Sequence, residues 1–381
     1  MKNLIFKDPK KCDFLLYDQE NGRVILEEIL KGREVETLYV RFEKLFLGPK
    51  VLFQMLLNLK YFEFWVFRHN KLTSFPKTIL GRFYKIYLLS FIKVVSPKII
   101  ITYIDDDHGF SWLTHRYKKA EFFAIQNGVR DKNCIGKFLP PAPLPGSQIS
   151  LTHFFCFGSH EKDIYGELGH KVERFIPVGS LKASIFREKI LKENEHPDFD
   201  VCTVSCWDEN VMIHNKTRPS FKIGMTRQHK YLAYAAKLLN LKVCIALRGS
   251  SRLEREFFES IYGKDVFYQA FDEKKYSTYT AMSRSKVTTA TLSTTLREHF
   301  GFGKKVLFCN FTEDETYDFP VQGFWSFTKL DKDQFVEHLK SLLEMPELTY
   351  TEKTKSAREY IMNYRSVPTH LLIKEEIERF L

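Results

Sequence analysis

Lys286 to Asn310 reads KVTTATLSTTLREHFGFGKKVLFCN, and how this stretch folds decides the architecture of the whole chain. Its β-branched opening, Val287-Thr288-Thr289, predicts a strand. Ser293, Thr294 and Thr295 stand where a helix N-cap is expected, Glu298 lies inside that helix, and Gly301 and Gly303 stop it. A second strand, Lys305 to Cys309, follows at once. Strand, helix and strand make a parallel βαβ unit. Such a unit sets hydroxyls and backbone N–H groups at a helix N-terminus beside the carboxyl ends of the strands, where phosphate binds well. The ligand this predicts is a nucleotide mono- or diphosphate. The plainer alternative is a set of hydroxyls that only cap a helix.

Upstream of this unit the same alternation recurs. Strands are predicted at Phe199–Ser205, Lys242–Leu247 and Val266–Gln269, with helices at Arg227–Leu239, Leu253–Tyr262 and Lys274–Ser283. Downstream come a short segment at Pro320–Trp325 and helices near Lys332–Leu343, Thr351–Tyr364 and Thr369–Phe380. The first half of the chain repeats the pattern, with strands at Asp13–Tyr17, Glu36–Phe42, Tyr61–Phe67, Lys98–Ile104, Glu121–Gln126, His153–Phe157 and Arg174–Val178. Helical patterns at Gly22–Lys31, Lys50–Lys60 and Lys77–Val95 separate them, and FLPPAPLPG at Phe138–Gly146 is a loop. A polar stretch within Leu181–Pro197 divides the halves. The expected fold is α/β: two Rossmann-like domains whose parallel sheets face across a cleft, with C-terminal helices. The expected domains are 1–185, 186–355 and a helical segment 356–381 that packs back on the first domain.

Composition bounds the rest. At 381 residues, 44% hydrophobic and 28% charged, with 35 Phe and 18 Tyr, the chain has material for two folded domains and no long disordered region. Its seven cysteines include no CxxC pair and several fall in strands, so buried reduced thiols in a cytoplasmic protein are expected. The first eleven residues are too polar for a signal peptide, and no apolar run is long enough to span a bilayer.

The net charge of +11 is uneven, with 27 Lys+Arg against 19 Asp+Glu in residues 1–180 and 31 against 28 in the remainder. Within Lys44–Lys98 ten basic residues meet one acid, Glu63, interleaved with aromatics such as Phe53, Tyr61, Trp65 and Phe83. That mixture suits contact with anionic lipid head groups or another polyanion, and equally a solvated basic face over an aromatic core. No nucleic-acid motif accompanies it.

A cleft between two such domains is where chemistry is expected. The strand Lys98–Ile104 delivers Asp105, Asp106, Asp107 and His108 to its carboxyl end, a set that can supply a general base, hold a hard cation, or simply cap the next helix. Asn127 and Gly128 form a turn after the strand Glu121–Gln126. Ser205 ends the first strand of the second half, and Arg248 ends its neighbour, where it can grip a phosphate or pair with a surface acid.

FFAIQNGVR (122–130), FFCFGSHEKDIYGELGHKVERFIPVGSLKASIF (154–186) and TATLSTTLREHFGFGKKVLFCNF (289–311), taken in order, resemble GT-B glycosyltransferases. The likeness is to bacterial surface-carbohydrate biosynthesis proteins and their relatives among Kdo transferases and glycerophosphotransferases. The last segment carries their "ST…E…G.GKKVL" pattern through Ser293, Thr294, Glu298, Gly303, Lys304, Lys305, Val306 and Leu307. The resemblance implies transfer of a sugar from a nucleotide donor, CMP-Kdo-like favoured and UDP- or GDP-sugar next, to a lipopolysaccharide, capsule or glycolipid acceptor. It implies donor phosphate at Ser293, Thr294 and Thr295, Glu298 near the ribose or sugar, Arg248 or a lysine at a donor carboxylate, and Asp106 or Asp107 as base with His108 assisting. Retaining GT-B enzymes carry two glutamates eight apart, but Ala290 and Val306 occupy the positions eight before and after Glu298, which favours inversion. No cofactor and no metal are expected beyond the nucleotide-sugar co-substrate. The implied location is cytoplasmic and peripheral to the inner membrane, through the basic aromatic region 44–98. A glycerophosphotransferase, a nucleotide-sugar epimerase and a non-catalytic membrane- or polyanion-binding protein are the rival expectations.

Overall fold

The structure is a computed structural model and describes residues 3–19, 22–41, 43–62, 75–130, 148–191, 197–214 and 219–381. Each half is built on one parallel sheet. In the first, β2 (Phe14–Tyr17), β3 (Val35–Leu38), β5 (Ile99–Thr102), β6 (Glu121–Ile125), β7 (Ser150–Cys156) and β8 (Lys171–Pro177) lie in the order β3-β2-β5-β6-β7-β8. In the second, β9 (Phe199–Val204), β10 (Val243–Ala246), β11 (Phe267–Gln269), β12 (Ser285–Ala290), β13 (Val306–Asn310) and β14 (Ser326–Thr328) lie in the order β11-β10-β9-β12-β13-β14. Every pairing in both sheets is parallel.

The central strands FLLY, IIIT and VCIA are buried at every position, as a sheet covered by helices on both faces requires. In each sheet the chain returns to the first strand and then winds the other way, between β2 and β5 and between β9 and β12. That switch opens a crevice at the carboxyl edge.

Two segments depart from the reading of the sequence. Tyr61 closes a short 3-10 turn, Leu59–Tyr61, instead of opening a strand; the remainder of that predicted strand from residue 63, like the loop 138–146, lies outside the described residues. A further strand, β4 (Lys44–Phe46), pairs with β1 (Asn3–Ile5) in a separate two-stranded parallel sheet. Of the polar stretch expected to divide the halves, residues 187–189 instead close helix Leu181–Lys189, which Ser180 caps and which buries Leu181, Ala183, Ile185 and Phe186. Its charged residues occupy the outer face, which made the stretch look like a linker.

The C-terminus crosses from one half to the other. Helix Glu347–Ile361 belongs to the second core, whereas helix Thr369–Glu378 places Ile373 and Ile377 among Phe14, Leu16, Ile99 and Phe123 of the first. In return Phe157, which follows β7, is buried in the second core beside the C-terminal helices. Gly158 packs so close to the end of helix Glu347–Ile361 that a Cβ there would clash with the Tyr360 carbonyl oxygen. Of the described cysteines, Cys156, Cys202, Cys206, Cys244 and Cys309 are buried and free, and Cys12 is half-buried and free.

Candidate functional site

The turn after β5 separates its three carboxylates. Asp105 is fully buried and accepts from Arg130 Nε at 2.7 Å, from a second guanidinium nitrogen, and from the Tyr165 hydroxyl at 2.8 Å. Asp107 caps helix His108–Arg116: its Oδ1 accepts from the Phe110 backbone N–H at 2.7 Å and the Tyr17 hydroxyl at 2.6 Å. Asp106 is half-buried, with Oδ1 3.6 Å from Arg130 Nη2. Its carboxyl is pushed above the usual range by burial, against the pull of Arg130. Among the described residues no cluster of three or more His, Cys, Asp or Glu side chains is arranged to hold a metal ion. His108 opens the capped helix and is held below its ordinary value by burial, with Asp107 opposing.

The turn after β6 joins this set to the other domain. Asn127 Oδ1 accepts from Arg130 Nη2 at 2.9 Å. A Cβ on Gly128 would lie 3.5 Å from Arg130 Nη1 and 3.7 Å from Thr294 Oγ1. The Val129 N–H donates to Thr294 Oγ1 at 3.1 Å, across the domain boundary. Asp106, Arg130, Gly128 and Thr294 are therefore consecutive neighbours where the carboxyl edges of the two sheets meet.

On the second domain, helix Thr294–Gly301 begins with Ser293 as N-cap, and the Ser293 side chain makes no capping bond. Its hydroxyl pairs instead with the Thr295 hydroxyl at 2.7 Å. Glu298 is buried, its Oε1 accepting from Ser180 Oγ of the first domain at 2.5 Å and its Oε2 from the Tyr279 hydroxyl at 2.7 Å. Burial raises its carboxyl above the usual range, while the two hydroxyls oppose the shift. Both oxygens are thus occupied by the protein, where the family resemblance would set the side chain against a ribose or sugar. Arg248 is exposed, donates to the Trp207 carbonyl at 3.2 Å and lies 3.5 Å from Asp208. Ser205 is buried and donates to Glu254, so it braces the edge of the second sheet from within.

Four side chains that the sequence did not single out belong to this neighbourhood. Glu161 accepts from Gln126 Nε2 and from the Gly158 N–H, each at 3.0 Å, and burial raises it to about 7. Glu254 accepts from Ser205 and from the backbone N–H groups of Arg248 and Gly249 at 2.8 and 3.0 Å, tying the ends of β9 and β10 together. Lys85, on helix Phe75–Val95, is lowered to about 8 chiefly by burial, with Asp107 near enough to oppose the shift. Arg297 is buried one turn into the helix that Ser293 caps. It shares the wall of a cavity of about 390 Å³ with Arg130, His160, Asp163, Asp318 and Tyr360, drawn from both domains. None of the four carries a local signal: a lysine or glutamate in an amphipathic helix reads as solvated until its neighbours are known.

Two six-stranded parallel sheets whose carboxyl edges oppose one another define the GT-B architecture. No family model matches the sequence, and no curated protein matches it. Among solved structures the fold is similar to S. aureus MnaA in complex with UDP, with a TM-score of 0.55 at 11% identity over 100% of this chain and 97% of that one. It is similar to the Neisseria meningitidis UDP-GlcNAc 2-epimerase bound to UDP-GlcNAc, with a TM-score of 0.53 at 14% identity over 100% of both chains. A variant of the wall teichoic acid polymerase TagF gives a TM-score of 0.52 at 11% identity over 97% of this chain and 89% of that one. Identities this low speak to fold alone.

Proposed function

We propose that the chain is a GT-B glycosyltransferase that moves a sugar from a nucleotide-activated donor to a cell-surface glycan or glycolipid. The observation that carries the reading is the junction at Thr294. It sets the hydroxyls of Ser293 and Thr295 at a helix N-terminus in the same cleft as Asp106 and Arg130. Backbone N–H groups and the helix dipole at that end favour the donor's phosphates, and Arg248 follows β10, two strands away from β12 at the same edge of the sheet. In the transfer, Asp106 takes the proton of the acceptor hydroxyl and the freed oxygen attacks the anomeric carbon. The bond to the donor phosphate breaks as the new bond forms, and the nucleotide leaves with its pair of electrons on a phosphate oxygen. A carboxylate held above the usual range by burial is a stronger base than an exposed one, which suits Asp106 to this role. Glu298 acts in this reading by fixing the two domains at the donor helix. A CMP-activated acid sugar of the Kdo kind is the favoured donor, on the motif resemblance.

Thermal shift against CMP, CDP, UDP, GDP and coenzyme A tests the reading, because a ligand that binds only the folded state raises the melting temperature. One nucleotide is expected to stand out and to lose its effect in Ser293→Ala/Thr295→Ala. The corresponding nucleotide sugar is then incubated with and without acceptor. Conversion that needs no acceptor would replace the transferase by an epimerase, and silence from every nucleotide would remove the phosphate site.

A further inference from the structure

We propose that the face formed by helices Pro49–Asn58 and Phe75–Val95 docks on an anionic lipid bilayer. Helix Pro49–Asn58 buries Val51 and Asn58, yet its outward face carries Leu52, Phe53, Leu56 and Leu57. With Leu59, Leu80 and Phe83 these side chains are between 41% and 66% exposed. A helix on a folded domain ordinarily turns charges to solvent, so an outward apolar stripe marks a surface that meets something. The two helices are one unit: Asn58 donates to Ser90 Oγ at 2.9 Å, and the rings of Phe62 and Phe83 lie 5.1 Å apart.

Charge decides what that something is. Lys50 and Lys60 flank the apolar stripe and are exposed, Arg82 follows half-buried on the second helix, and Glu63 is the single acid in the sequence from 44 to 98. Asp8, at the start of the first helix, is engaged with the N–H groups of Lys50 and Val51 at 2.9 and 3.2 Å. Lysines around leucine and phenylalanine fit acyl chains beneath anionic head groups, where the charged ends reach the phosphates while the apolar side chains enter the boundary. A second copy of the chain fits poorly, because a two-fold contact would bring the same cationic rim against itself. Among the described residues no helix is long and apolar enough to cross a membrane, so the face lies on the bilayer.

Position relative to the cleft adds a reason for the contact. Helix Phe75–Val95 precedes β5 and runs against it, so Leu80 and Phe83 stand at the carboxyl edge of the sheet. The next two residues, Tyr84 and Lys85, are near enough to feel the charge of Asp107. Docking would therefore hold the mouth of the site at the lipid surface. On the transferase reading, from which this clause follows, a lipid-linked acceptor reaches Asp106 without leaving the membrane.

Co-sedimentation of the full chain with vesicles tests the proposal, using phosphatidylcholine alone and phosphatidylcholine with phosphatidylglycerol, at low and high salt. Binding is expected on the anionic vesicles and is expected to weaken with salt. Phe53→Ser/Leu56→Ser and Lys50→Glu/Lys60→Glu are each expected to lower partition about tenfold or more. Both leave the melting temperature near wild type, since the replaced side chains face solvent. Absence of binding to anionic vesicles, or binding that neither variant weakens, would overturn the docking face. A dimer by light scattering that Phe53→Ser/Leu56→Ser dissociates would overturn it in favour of a second copy. Nucleotide thermal shifts are read on the same samples without lipid, so vesicle binding with no nucleotide response would uphold the face while removing the transferase.

Discussion

Asp106 and Asp107 are neighbours in the chain with different surroundings. Asp107 Oδ1 accepts two hydrogen bonds, both of which an asparagine oxygen can accept, whereas Asp106 is half-buried beside Arg130. Asp107→Asn should therefore keep fold and turnover, and Asp107→Ala should cost about 1 kcal/mol through the lost cap. Asp106→Asn should leave the melting temperature alone and lower transfer by about 10²- to 10⁴-fold, as loss of a general base does. Activity that survives Asp106→Asn and dies with Asp107→Asn would exchange the roles. Glu161 gives a second prediction, through pH. It titrates near 7 in the folded protein, against 4.5 for an ordinary glutamate, because burial outweighs the hydrogen bonds from Gln126 and Gly158. The folded state holds this proton more tightly, so its contribution is full below the unfolded value and is lost as pH rises through 7. Between roughly pH 5.5 and 7.5 the group should remove about 2 kcal/mol of stability. Urea denaturation at the two pH values should show that slope in wild type and not in Glu161→Gln.

Elements are held in register by single buried side chains as much as by their strands. Helix Arg252–Tyr262 displays an exposed Arg252–Glu256 pair, which contributes little in water, and a half-buried Arg255–Glu259 pair. Its inner face sends Glu254 to the loops after β9 and β10, where it is buried and accepts three hydrogen bonds. Glu254→Gln turns an amide N–H toward a donor on one of those loops. The expected loss is about 1–3 kcal/mol, read as a lower denaturation midpoint, together with faster hydrogen exchange at Arg248 and Gly249. An unchanged midpoint would mean that the loops hold their shape without it.

The whole molecule is fastened by chain crossings. Helix Thr369–Glu378 adds Ile373 and Ile377 to the first core, and Thr369 donates to the Val178 carbonyl at 2.6 Å. Phe157 reaches the other way, and the Asn363 N–H donates to its carbonyl at 2.7 Å. The chain therefore returns its last helix to the first domain, and a defect in that helix should be felt in the first sheet. Ile377→Ala should cost about 2–5 kcal/mol and raise hydrogen exchange in β2 and β5, although it lies more than 270 positions from β5. Destabilisation confined to β9–β14 would contradict this arrangement.

The alternation of strands and helices, the parallel sheets and the two-domain architecture are written locally, in apolar runs of strand length, helical periodicity and capping residues. For that reason they are readable without the fold. The predicted helix at Lys332–Leu343 even carries its capping box, Asp331 with Gln334, in plain view. The charged residues 187–189 were not legible as a helix end because the last turn of a short helix, charged on its outer face, has the composition of a linker. What only the tertiary structure decided is the job of each polar side chain at the cleft. Asp105 meets Arg130 across 25 positions and Glu298 meets Ser180 across 118. A carboxylate's partner, and with it the choice between base, cap and brace, is set by which strand ends the sheets bring together; burial then fixes its charge. The sequence determined that a cleft with acids and hydroxyls exists, because propensity and periodicity act over a few residues. Only the folded chain could bond Asp105 to Arg130 and Tyr165, make Asp107 a helix cap and leave Asp106 half-buried beside Arg130, because desolvation and pairing act through space.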